Sequence, residues 1–103
     1  MAHEDLAGTV SDLAHRGYAV DFRAEECGLR DVGSGKLYAP EALTIEEVFR
    51  FEGVTDPGGE AAVFALRNEK SGVRGTYVVA YGPGMDPLDA DMVHRLSDQR
   101  RPQ

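Results

Sequence analysis

The sequence predicts an α+β domain: a mainly antiparallel sheet of four or five strands, with an N-terminal and a C-terminal helix packed on one face. Three observations predict it. Two segments with helical periodicity bracket a run of strand-like segments. Within that run, residues 45–81 resolve into three consecutive strands, Ile45–Glu52, Ala61–Arg67 and Val73–Tyr81, joined by two turns. The middle one carries Ala61-Ala62-Val63-Phe64-Ala65-Leu66, apolar without alternation, the mark of a strand sheltered from water on both faces.

Taken in order, Glu4–Arg16 reads as an amphipathic helix. Leu6, Val10 and Leu13, with Ala14 beside them, form one stripe, acids sit in its first turn, His15 and Arg16 in its last, and Gly17 caps it. The period then switches to two: Tyr18, Val20 and Phe22 alternate with Ala19, Asp21 and Arg23. Glycines at 28, 33 and 35 break the next stretch into short strands, Cys27–Val32 and Lys36–Tyr38, around a turn at Gly33-Ser34-Gly35. Pro40–Leu43 reads as a single helical turn. In Ile45–Glu52 the pattern puts Ile45, Glu47, Phe49 and Phe51 on one face and Glu46, Val48, Arg50 and Glu52 on the other. The turns Thr55–Gly59 and Asn68–Gly72 supply the proline and glycines that tight turns require, and flanking glycines leave Ala61–Leu66 too little room for a helix. Gly82-Pro83-Gly84 stops the last strand. Asp86-Pro87 then caps a second helix whose stripe is Leu88, Met92, Val93 and Leu96. The domain is expected to span 1–97, with 98–103 a disordered tail.

Two helices side by side cover about 20 Å, roughly the width of four or five strands, and so shelter only one face. The second face of Ala61–Leu66 then needs a cover: residues 24–43 folded across it, another subunit, or a ligand pocket. That face is the main functional lead in the sequence.

Composition narrows the classes. At 103 residues there is one core to bury, and no apolar run approaches the ~18 residues of a membrane span. Eighteen acids against eleven Lys and Arg give a net charge of −7, which repels a phosphate backbone, and the only basic cluster is Arg95 with Arg100-Arg101. A charged surface that keeps the protein soluble explains the acidity more simply than a high-salt cytoplasm. The acidic start and single cysteine, Cys27, fit a reducing cytoplasm, with neither nucleic acid nor membrane as partner.

The chemistry-bearing residues form no strong motif. Gly82-Pro83-Gly84 ahead of a helix resembles a phosphate loop but lacks the lysine and spacing, so a strand stop is the plainer reading. Asp86, Asp89, Asp91 and His94 share one short helix, yet no second histidine stands at ligand spacing and acids in a first turn are ordinary. No metal or cofactor is expected. Cys27 reads as a small buried or half-buried thiol without a base to activate it. The segment Glu46–Glu52 carries more. Arg50, flanked on its face by Glu46 and Glu52, can form ion pairs or hold a ligand's acid group. Glu47, beside Phe49 and Phe51, would be a general acid or base if buried, and otherwise marks the ragged start of the strand.

Four runs, Arg16-Gly17-Tyr18 with Asp21-Phe22, Ile45–Gly53, Gly72-Val73-Arg74-Gly75 and Asp86-Pro87-Leu88, together resemble a family of short bacterial proteins that have at times carried the label phosphoribosylpyrophosphate synthetase. The resemblance covers most of the chain and implies no established activity. The label does not suit these residues. Such synthetases are far longer and two-domained, and this chain has neither an Asp-Asp pair nor a threonine-glycine phosphate loop. The expected function is therefore a non-catalytic module acting through a sheet face, on a second copy or another protein. The surface in view is Glu47, Phe49, Arg50, Phe51 and Glu52. The alternatives are an anionic-metabolite binder anchored by Arg50 and a small enzyme using Glu47 or Cys27.

Overall fold

The computed structural model describes residues 5–52, 60–81 and 85–100. Helix α1 (Leu6–His15) starts on Asp5, whose carboxylate accepts the Gly8 amide at 2.8 Å. It ends at Gly17, which takes a φ of 106°. The Gly17 and Tyr18 amides donate back to the carbonyls of Ala14 (3.1 Å) and Leu13 (2.9 Å), the two bonds of a Schellman motif. That turn sets Tyr18 into the same buried cluster as Leu13.

Six strands follow: β1 (Val20–Glu25), β2 (Gly28–Asp31), β3 (Leu37–Tyr38), β4 (Leu43–Glu52), β5 (Glu60–Asn68) and β6 (Arg74–Tyr81). A 3-10 turn, Pro40–Ala42, leads into β4, and helix α2 (Pro87–Arg100) follows β6. Asp86 accepts the Leu88 amide at 2.8 Å and Pro87 opens the helix, as the sequence predicts. The helix runs through Arg100, past the expected domain end at 97. Residues 101–103 and the Thr55–Gly59 turn lie outside the described residues. The turn after β5 is held by buried Asn68, whose side chain accepts the Ser71 amide at 2.8 Å and donates to the Ala42 carbonyl at 3.1 Å.

The strands form one sheet in the order β3-β2-β1-β6-β5-β4. Four of the five neighbouring pairs are antiparallel, but β1 and β6 run parallel, with Val20, Asp21 and Phe22 opposite Gly75, Thr76 and Tyr77. The expected antiparallel sheet of four or five strands is thus a mixed one of six. The parallel pair arises because the chain leaves β3 at one edge, re-enters as β4 at the other, and returns through the β4–β5–β6 meander to meet β1. A flat sheet would put β3 and β4 about 24 Å apart, at ~4.8 Å per strand. Tyr38 and Leu43 are five residues apart, a reach of at most about 18 Å. The sheet must therefore curl, and it curls around α2: Tyr38, Leu43, Met92 and Leu96 share one buried cluster.

That cluster also holds Phe22, Ala62, Phe64, Leu66, Tyr77 and Val79. On the other side of the sheet Leu13 and Tyr18 bury against Val63 and Ala65, with Leu6, Val10, Phe49 and Phe51 at the margin. Alternate residues of β5 point to opposite faces, so the two helices lie on opposite faces and not on one, as expected from the sequence. Curling is the physical reason. One helix can fill the concave side of a curved sheet, which frees α1 for the convex side. The second face of Ala61–Leu66, all six residues of which are buried, is covered by the chain's own first helix. Neither the 24–43 segment, another subunit nor a pocket is needed there. On β6 the convex side stays open beyond α1, where Val78 is 40% exposed.

Candidate functional site

The paired residues of β1 and β6 stop at Phe22 and Tyr77. Beyond them β1 stays with β2 and β6 with β5, so the strands part. The start of α2 crosses this opening. The result is a cleft of about 420 Å³ lined by Asp21, Phe22, Arg23, Ala24, Tyr77, Val78, Asp86, Leu88 and Asp89. Because the sheet is interrupted here, residues from both faces of β1 reach it. Ala24, Val78 and Leu88 supply its apolar lining, Phe22 being itself buried in the core, and its polar lining carries three carboxylates against one guanidinium.

Tyr77 is its most constrained member. The residue is buried, and its hydroxyl donates to Asp89 Oδ1 at 2.5 Å. Burial first, and the adjacent Asp89 carboxylate second, push the phenol well above the ordinary tyrosine range, so it stays a neutral donor. Asp86 caps α2 while remaining exposed. Asp21 and Arg23 meet at 3.3 Å, but both side chains are more than half exposed, so water screens the pair. The excess of negative charge at the rim favours a cationic guest.

A second polar cluster sits where α1 ends over β4, β5 and β6. In β4, Ile45 pairs with Leu66 and Glu47 with Ala65, leaving Glu46 as the extra residue of a bulge. The bulge shifts the alternation read from the sequence: Ile45 and Val48 pack on the α2 side, whereas Phe49 and Phe51 pack on the α1 side. It also turns both glutamates toward the end of α1. Glu46 accepts the Tyr18 hydroxyl at 2.5 Å and Arg67 Nε at 2.6 Å, and Glu47 accepts Arg16 at 2.6 Å. The guanidiniums of Arg74 and Arg16 lie 5.1 and 5.9 Å from the Tyr18 ring centroid. The Tyr18 bond, then the Arg67 bond, hold the Glu46 carboxyl below the usual range, and the same Glu46 bond raises the Tyr18 phenol. Every glutamate here has a partner, so the cluster reads as a clasp that fastens α1 to the sheet.

The residues singled out in the sequence are dispersed by this geometry. Glu47 is ion-paired and 38% exposed at its side chain, not buried among the phenylalanines. Phe49 and Phe51 are half-buried under α1. Arg50 is exposed, 5.9 Å from the Tyr81 ring centroid, and separated from Glu46 by the bulge. Glu52 faces Glu60 in the ladder. All five lie on β4, an edge of the sheet. Cys27 is an exposed thiol, contrary to the buried or half-buried group expected, because the β1–β2 turn carries it outward. Asp91 pairs with Arg95 at 3.5 Å, and among the described residues no three His, Cys, Asp or Glu side chains are placed to hold a metal. Gly82-Pro83-Gly84 lies outside the described residues.

Sequence reasoning missed Asp21, Arg23 and Tyr77 as cleft residues, because nothing in their spacing announces a parallel pair. One signal was available. Gly75 interrupts a strand pattern, and such a glycine marks close approach of another backbone. A Cβ there would overlap the Val20 carbonyl and lie 2.8 Å from the Phe22 ring.

Comparison with protein-family models, with curated proteins and with solved structures gives no match. Among the described residues, no helix is long and apolar enough to cross a membrane.

Proposed function

We propose that this chain is a non-catalytic binding module that takes a small organic cation with a short apolar body into the cleft between β1, β6 and α2. One observation carries the reading: a 420 Å³ opening whose lining sets three carboxylates against a single arginine. Its volume lies in the range of small-molecule sites, and it opens at the carboxyl ends of a parallel pair, where open sheets commonly bind ligands. An alkyl chain would rest on Val78 and Leu88 with its ammonium group toward Asp21 and Asp89. Arg50 as the anchor of an anionic guest is the weaker reading, because Phe49 and Phe51 turn to the other side of the sheet. Glu47 as a general base is weaker too, since its carboxylate is ion-paired with Arg16. The reading imports no activity from the family the chain resembles.

The experiment is a thermal-unfolding screen of the whole chain against butylamine, 1,4-diaminobutane and butyrate. The amines are expected to stabilise, by about 2.7 kcal/mol at a concentration of 100 times the dissociation constant, and butyrate is not. Asp21→Asn should weaken the amine effect while leaving the fold intact, because that side chain is exposed. Stabilisation by butyrate alone, or an amine effect unchanged in Asp21→Asn, would overturn the assignment.

A further inference from the structure

We infer that two copies of this chain join through β4, antiparallel across a two-fold axis, to make one continuous twelve-stranded sheet. The two sheet edges differ sharply. β3 has two residues, whereas β4 has ten, and among the described residues β4 pairs with β5 alone. Half of its backbone donors and acceptors therefore point away from the sheet, and only another strand edge offers both in matching order. The stretch carries neither proline nor lysine, and the bulge at Glu46, which does blunt an edge, leaves Glu47–Glu52 in regular register. Val48, Phe49 and Phe51 are only half-buried, in keeping with a strand that has a neighbour on one side only.

The sequence of β4 selects a second copy, and selects the register. An axis perpendicular to the sheet keeps each face with its like, so opposed residues must project to the same face and their numbers must sum to an even value. The bulge at Glu46 breaks regular pairing, which leaves Glu47–Glu52. Within that window only centring on Phe49 or on Arg50 pairs five residues, and centring on Arg50 would oppose two arginines, a destabilising arrangement. Centring on Phe49 opposes Phe49 to its own copy, Val48 to Arg50 and Glu47 to Phe51. An aromatic pair then lies on the axis, and no like charges face each other between Glu47 and Phe51. Each chain carries a net charge of −7, so the copies repel at long range, and added salt should strengthen their association.

Sedimentation equilibrium on the unmodified chain, at low and high salt, reads the mass. Spin labels read the register, with Arg50→Cys made in a Cys27→Ser background; both side chains are exposed, so folding should survive. In the Phe49-centred register the two position-50 Cα atoms lie about 8 Å apart, two residues along the strand and one strand across. The expected result is a dimer, more stable at higher salt, whose label spectrum is strongly broadened and sharpens on mixing with unlabelled chain. A monomer at about 1 mM, where even a contact of roughly 4 kcal/mol would be half formed, overturns the inference. A dimer with a narrow label spectrum overturns it equally, since the copies would then meet elsewhere.

Discussion

Glu46 receives a phenol on one oxygen and a guanidinium on the other, and this pair of bonds decides how the end of α1 meets the sheet. Removing the phenol, in Tyr18→Phe, keeps the buried ring and leaves Glu46 its bond to Arg67. The loss should be about 1.5 to 3 kcal/mol in urea unfolding at neutral pH, as for one hydrogen bond to a charged group. The acid side gives a sharper check. The folded-state Glu46 carboxyl is held low, chiefly by Tyr18, so its contribution to stability is complete above the ordinary glutamate value of about 4.3 and is lost as pH falls through the lower folded value. Asp31, Glu25 and Glu41 are held low too, by Ser34, Arg30 and Arg95, and share that sign. The urea midpoint should therefore fall on going from pH 5 toward pH 3, and fall less steeply in Tyr18→Phe. An unchanged slope in the variant would show that the phenol does not hold Glu46. None of this was legible beforehand. The sequence shows Glu46-Glu47 as neighbours on opposite faces of a strand, and only the bulge, which depends on where β5 pairs, brings both to one side.

At the scale of elements, what was legible is what local chemistry determines. The helix stripes, the Gly17 cap, the Asp86-Pro87 start and the β4–β5–β6 meander follow from periodicity and turn residues, and the structure has them. The β1–β6 pair is different in kind. It joins residues more than fifty positions apart, and no periodicity within either strand records the partner. Gly75 is the element-scale trace of that pairing: it lets β6 lie against Val20 and the Phe22 ring without collision. Gly75→Ala should thus destabilise by about 1 to 3 kcal/mol, the usual range for forcing a methyl into a packed site. A swap at a free strand position would instead gain a little from lost backbone freedom. Urea unfolding separates the two by sign. A stabilised Gly75→Ala would mean that β1 does not lie against β6. Since β1 and β6 also form two walls of the cleft, the same variant should blunt any amine-dependent stabilisation.

The whole molecule is a curved sheet with one helix in its hollow and one on its back, and the burial of Ala61–Leu66 follows from that arrangement. The sequence shows that both faces of this strand must be dry but not what dries them, because covering depends on sheet curvature, and curvature depends on the length of the link from Tyr38 to Leu43. Had the sheet been flat, both helices would have been needed on one side. Leu13 tests the consequence. It is fully buried between α1 and the Val63–Ala65 face, whereas Leu6 and Val10 of α1 are only partly buried against that core. Leu13→Ala should destabilise by roughly 2 to 5 kcal/mol, the range for leucine truncation in a core. If α1 only decorates the sheet, the loss will be well below that, and the amides of 61–66 will keep their hydrogen-exchange rates. If α1 is the cover, those six amides should exchange only through global unfolding, so their exchange should quicken by the same factor that urea unfolding reports for the variant. A faster exchange confined to α1 itself would separate the helix from the core and remove the reason for calling β5 an interior strand.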